Sequence, residues 1–214
     1  MKEIRFYTLL SMMVLLSACT SLQVGSEFSS GRQALLRGNS EAALAYFSSA
    51  AQKDPNYVYG TALQQGIWSY VGRSEYAIGR FPQARQNLER ALAANKGEDV
   101  ARLYLGLTLA RSGDQQRGLR EIEGGMKGIY DFLEYVTQAH RFSFGQFWDP
   151  NLEMRKAIQT DLAMISGKDL DWQKLIANGE WLGKQIEEEG DRARRNEARE
   201  RSREGSSPDS PGSN

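Results

Sequence analysis

The chain has 214 residues and carries 27 lysines and arginines against 27 aspartates and glutamates, so its net charge is zero. No overall field draws it to nucleic acid or to an anionic surface. Its one cysteine, Cys19, excludes an intrachain disulfide, and its one histidine, His140, leaves little material for a histidine-based metal site or triad.

The amino terminus has the pattern of a bacterial export signal. Lys2 and Arg5 make a basic start diluted by Glu3, residues 6–16 form a short apolar run, and Ser17 and Ala18 are small. The run is well short of the roughly 20 residues that a spanning helix needs, which argues against a permanent transmembrane helix. Leu16-Ser17-Ala18-Cys19 resembles the lipobox of bacterial lipoproteins. The resemblance implies that residues 1–18 are removed, that the Cys19 thiol carries diacylglycerol, and that the new amino group is acylated too, with palmitate or a like chain. Several acyl chains, at about 0.8 kcal/mol per buried methylene, hold a protein on a bilayer far better than one. In that family an aspartate after the cysteine favours the inner membrane. Thr20 stands there instead, which implies the periplasmic leaflet of the outer membrane. An ordinary secretory signal with a chance cysteine is the alternative. Residues 19–30 are then the lipidated cysteine and a short polar tether, passing into a first helix near 24–31.

From 31 to 130 one pattern is written three times. Glycines recur seven apart, as Gly31 and Gly38, Gly72 and Gly79, Gly106 and Gly113. Each pair is followed by a small residue (Ala43, Ala84, Gly118), a bulky apolar one (Phe47, Leu88, Ile122) and another small one (Ala50, Ala91, Gly125). Copies two and three are displaced by 34 residues, Gly72 to Gly106, and copies one and two by 41, Gly31 to Gly72. The second glycine of each pair suits the left-handed end of a first helix. Asn39-Ser40, Pro82 and Asp114 then open a second helix, Pro82 in a first turn where its missing N–H costs nothing. The first glycine falls mid-helix, where it costs about 1 kcal/mol against alanine. Three such glycines in register require a packing reason: two helices crossing too closely for a side chain.

These residues resemble the tetratricopeptide family, whose period is near 34. Asp54-Pro55-Asn56 matches the family's terminator, and Trp68, four before Gly72, stands where the family prefers tryptophan. The resemblance implies an all-α solenoid of about three helical hairpins with extra capping helices at its C-terminal end. Copy three departs from the family, with Gly118 and Gly125 in place of alanines and Tyr130 where a closing proline is usual, so its second helix is expected to be looser. The extra residues around 58–64 are expected to lengthen the first helix of copy two.

Beyond the repeats, Ile129, Phe132, Leu133 and Val136 mark one helical face. The aromatic stretch from His140 through Phe142, Phe144, Phe147 and Trp148 to Pro150 is either a platform for a glycan or extended peptide, or a plug over the solenoid end. Met154, Ile158, Leu162 and Ile165 stripe the next helix. Asp169 is expected to cap the last one, whose apolar face is Trp172, Leu175, Ile176, Leu182 and Ile186. The capping helices thus span 131–189. Residues 190–214 are expected to be a charged, largely disordered tail with solvated pairs such as Asp191 with Arg195.

The function class this implies is a membrane-anchored scaffold that holds an envelope protein or peptide, without cofactor or metal and without nucleic acid. In the family the first helices line a concave groove. In this chain Arg32, Arg73 and Leu107 follow the first glycines, and Leu35, Tyr76 and Arg111 lie further along the same helices. Arg32, Leu35, Arg73, Tyr76 and Arg111 are therefore the candidate groove, its arginines suited to a carboxylate such as a chain terminus. Arg32 and Arg73 as merely solvated surface residues are the alternative. Two other readings are a passive or self-associating envelope component, and a cell-wall hydrolase using Asp149 and Glu153. No nucleotide-binding glycine loop and no metalloprotease or serine-hydrolase motif accompanies that acid pair.

Overall fold

A computed structural model describes residues 22–60 and 62–204. The export signal, Cys19 and the end of the charged tail lie outside the described residues. The protein is mostly helical, as expected. Helix α1 covers 22–36, followed by α2 (Ser40–Lys53), a ribbon of β1 (Val58–Tyr59) and β2 (Gln65–Gly66), α3 (Ile67–Ala77), α4 (Phe81–Ala94), α5 (Asp99–Arg111), α6 (Gln115–Ala139), a short 3-10 turn (Phe144–Phe147), α7 (Glu153–Ser166) and α8 (Trp172–Glu204). The chain parts into two compact units between Gly125 and Met126.

In the first unit the glycine pattern has one geometry in all three copies. Gly38, Gly79 and Gly113 take φ of +76°, +76° and +96°. Their N–H groups donate to Leu35, Tyr76 and Ala110, and the next N–H in each case reaches back to Ala34, Glu75 and Leu109. This double closure satisfies the last carbonyls of each first helix. Asn39 and Asp114 then cap α2 and α6 through the N–H groups of Ala42 and Arg117, while Pro82 occupies the first turn of α4. Asp54 and Asn95 end α2 and α4 alike, each accepting the N–H two residues on, at 3.0 Å.

The mid-helix glycines lie at the crossings. A Cβ at Gly31 would stand 2.7 Å from Phe47 Cε1, one at Gly72 2.6 Å from Leu88 Cγ, and one at Gly106 2.5 Å from the Ile122 nitrogen. In every copy the obstructing residue is the bulky one of the pattern. The third crossing is the tightest, not the loosest. Cβ atoms at Gly118 and Gly125 would meet the backbone nitrogens of Ala110 and Leu103 at 2.8 and 2.5 Å, so alanine is excluded where the other copies carry it.

Two expectations fail at the start of this unit. The stretch expected to be a tether is helical from residue 22, with Val24 and Phe28 in the core. Val24, Phe28, Gly31 and Leu35 form a helical stripe that the surrounding serines disguise. The extra residues after copy one form the antiparallel ribbon, Val58 opposite Gly66 and Tyr59 opposite Gln65, and do not extend α3. Val58 and Tyr59 favour extended backbone, and Gly60 takes φ of +108°, which turns the chain out of any helix.

In the second unit α6 continues without a break, burying Met126, Ile129, Leu133 and Val136. Met154 and Ile158 of α7 and Leu175, Leu182 and Ile186 of α8 supply buried apolar surface, and α8 contacts both α7 and the 3-10 turn. Asp171, not Asp169, caps α8, accepting the Lys174 N–H at 3.0 Å. The helix does not fray after Glu187. Glu187, Glu189, Gly190 and Ala193 are buried, Gly190 facing the Trp148 ring. Asp191 and Arg195 pair at 2.7 Å as expected.

Candidate functional site

The first unit carries a ladder of guanidinium groups and phenol rings. Arg32 of α1 lies 4.6 Å from the ring centroid of Tyr59 in β1 and donates to its hydroxyl. Tyr59 meets Tyr70 of α3 edge-on at 6.5 Å. Arg73, one turn along α3, sits between Tyr70 and Tyr104 of α5, at 5.3 and 5.0 Å from their centroids. Tyr104 meets Tyr76 edge-on at 5.6 Å, and Arg111 Nε donates to the Tyr76 hydroxyl at 2.8 Å. Each guanidinium is thus held against the negative face of a ring, which helps to orient it.

Four of the five expected groove residues, Arg32, Arg73, Tyr76 and Arg111, belong to this ladder. Their environment differs from an open groove. Arg32, Arg73 and Tyr76 are only 6%, 3% and 6% exposed, so the arginines are neither solvated surface residues nor rungs standing in water. Leu35 is half-buried against the Val24 and Phe28 cluster and belongs to the core. Arg111 alone of the five is exposed. The cause is that α3 and α5 are buried along nearly their whole lengths, from Ser69 to Tyr76 and from Leu103 to Ala110. In α5 the run Leu103-Tyr104-Leu105-Gly106-Leu107-Thr108-Leu109-Ala110 is apolar on every side, which already marks a helix covered all round.

A second set of polar groups fixes the ladder. Gln65 accepts a hydrogen bond from Arg73 at 2.9 Å, and Glu98 accepts the Gly66 N–H at 3.1 Å. Burial pushes the Glu98 carboxyl above its ordinary range, against hydrogen bonds from Ser69 and Gly66 and the field of Arg73. The ribbon is therefore pinned from both sides, by Arg32 on Tyr59 and by Glu98 on Gly66. Sequence reasoning missed Tyr59, Tyr70, Tyr104, Gln65 and Glu98. A signal existed for two of them, since Tyr70 and Tyr104 are 34 residues apart, each two before a crossing glycine.

In the second unit Asp149 is buried with φ of +44°. Its carboxylate accepts the N–H groups of Met154 and Arg155 at 2.9 and 3.1 Å, and Arg155 Nε at 2.9 Å. Arg155 reaches on to Glu134 at 2.7 Å and Thr137 at 3.2 Å, tying the start of α7 to α6. Glu189 accepts the Asp149 N–H. Asp149, the first acid of the hydrolase reading, thus caps a helix and anchors a half-buried arginine, with Glu153 the first residue of α7. His140 stacks on Phe144 at 4.4 Å. Among the described residues no group of three His, Cys, Asp or Glu side chains is placed to hold a metal ion, and no helix is long and apolar enough to cross a membrane. Comparison of the chain with protein-family models, with curated proteins and with solved structures finds no match.

Proposed function

We propose that the chain is a tetratricopeptide-type scaffold of the bacterial envelope, anchored through acyl groups on Cys19 in the periplasmic leaflet of the outer membrane, that holds a peptide or protein partner. The observation that carries this reading is the threefold crossing, Gly31 against Phe47, Gly72 against Leu88 and Gly106 against Ile122. Helices that nest so closely offer rigid, extended surface, which is the working part of such scaffolds. The ladder supports a polar, anion-directed contact. Arg32 and Arg73 hold the tyrosines in place from within, and the exposed Arg111, oriented by Tyr76, is the rung a partner carboxylate meets. A charge-assisted bond from a pre-oriented guanidinium is about twice as strong as a neutral one. The anchor rests on residues 16–19, and the absence of a spanning helix among the described residues is compatible with attachment by lipid.

The test is capture of partners from envelope extract by the wild-type chain and by Arg111→Glu, followed by an isotherm with the captured protein. The reading expects binding that falls at least tenfold in the variant while the helical signal and a cooperative melt are retained. A chain that captures nothing and self-associates identifies a structural component instead. Turnover of glycan strands by the purified chain identifies a hydrolase.

A further inference from the structure

From Tyr135 to Trp148 the sequence carries one permanent charge, Arg141, and no acid, although 25% of the whole chain is charged. The fold sorts the rings of this stretch into two groups. Trp148 is buried, edge-on to Phe132 at 5.0 Å, and Phe144 and Phe147 are half-buried. Tyr135 and Phe142 are instead 66% and 84% exposed. Phe142 stands in the turn after α6 beside exposed Arg141, whose guanidinium is 4.4 Å from the ring centroid. His140 is edge-on to the exposed Tyr135 at 6.3 Å and stacks on the half-buried Phe144, in the same turn as Phe142. The turn is built to keep its form, because the N–H groups of Ser143 and Gly145 both donate to the His140 carbonyl at 3.0 Å. Gly145 fits so closely against the Val136 and His140 carbonyls that no side chain is possible there. Of the acids on the adjoining part of α6, Glu134 is engaged by Arg155 and Gln138, and Asp131 is exposed one turn before Tyr135.

We propose that this turn is a membrane-contact site for a bilayer bearing anionic headgroups. Phe142 enters the acyl boundary, Arg141 stays at headgroup level on its apolar stem, and Tyr135 lies at the interface, where aromatic side chains with a polar tip concentrate. The cation and the lack of acids along the stretch supply the charge complementarity. A glycan site fits less well. It needs polar groups converging around a ring with an open face in a concave site, whereas Phe142 protrudes and Arg141 already covers one face. The proposal stands apart from the expected anchor at Cys19, to which it would add a weak second contact.

The test uses the full chain with Cys19→Ser and a single environment-sensitive label at Phe142→Cys, and a reference label at Tyr46→Cys, a half-exposed position on α2. Each is mixed with phosphatidylglycerol-containing vesicles whose acyl chains carry bromine. The expected result is a blue shift and quenching at 142 and not at 46, with Arg141→Gln weakening vesicle partition about fivefold. A label at Tyr135→Cys provides a second reading should the Phe142 variant lose its helical signal. The proposal is overturned if labels at 142 and 135 stay in water, if position 46 responds equally, or if soluble glycan fragments produce the shift without vesicles.

Discussion

Alanine placed at Gly72 and, separately, at Gly106 probes the two kinds of crossing. In an open helix either change would stabilise by about 1 kcal/mol. At Gly72 the new methyl would lie 2.6 Å from Leu88 Cγ and 3.2 Å from the Ala84 carbonyl. The nearest obstacle is a side chain, though not its flexible end, in a fully buried site. Overpacking of that kind costs about 1–3 kcal/mol, so the net loss is about 0–2 kcal/mol. At Gly106 the obstacles include the Ile122 nitrogen at 2.5 Å and the Gly118 carbonyl at 2.8 Å, and only separation of the helices relieves them. That variant should lose about 3 kcal/mol or more. The distinguishing result is rescue. Leu88→Ala alone costs about 2–5 kcal/mol, but in the Gly72→Ala background its penalty shrinks, because the new methyl fills part of the space it vacates. Ile122→Ala cannot rescue Gly106→Ala, since the backbone clash remains. Urea denaturation of the six variants and wild type measures both couplings. Stabilisation by Gly72→Ala, or equal rescue at the two sites, would refute the assignment of these glycines to helix crossings.

Three further outcomes are expected. Asp149→Ala removes the cap of Met154 and Arg155 and one of two acidic partners of the half-buried Arg155, and should cost about 2–4 kcal/mol, with Asp149→Asn recovering part; a melt within 1 °C of wild type contradicts it. Burial raises the Glu98 carboxyl above its ordinary value in the folded state, which therefore holds its proton more tightly than the unfolded chain; the stability this group contributes is present below the unfolded value and is lost as pH rises through the raised one. Glu98→Gln keeps an acceptor for Gly66 and should flatten this decline in urea midpoints taken from pH ~4 to ~8, while Glu75, Asp161 and Glu189, raised by burial in the same sense, keep part of the slope. Cys19→Ser should move the chain from the membrane to the soluble fraction of the envelope, and retention in the membrane pellet would count against acyl anchorage.

The features legible in the sequence were those fixed within one hairpin. A glycine seven residues after another, a capping Asn39 or Asp114, and Pro82 in a first turn each act through neighbours a few residues away, so spacing alone reveals them. The ribbon was hidden because its pins are distant in the chain, Tyr59 held by Arg32 and Gly66 by Glu98. The sidedness of the candidate site was hidden for a related reason. Arginines one residue past a crossing glycine suggest a groove, but tyrosines from three different elements enclose them. In α8 the buried positions after Glu187 are Glu189, Gly190 and Ala193, an acid and two small residues among charges that no count of bulky apolar side chains detects. Copy three misled in the same way, since Gly118 and Gly125 signal closer approach and not a slack helix.

The equivalence of the hairpins is tested most directly by duplicating residues 80–113, the segment from one helix-ending glycine to the next. If the three crossings are one structural unit repeated, the insertion adds a fourth hairpin in register. Helical signal per residue is then retained, with one cooperative urea transition whose midpoint is no lower than that of the parent. Loss of that transition, or the same behaviour from an insertion cut four residues short, would contradict the repeat on which the scaffold reading rests.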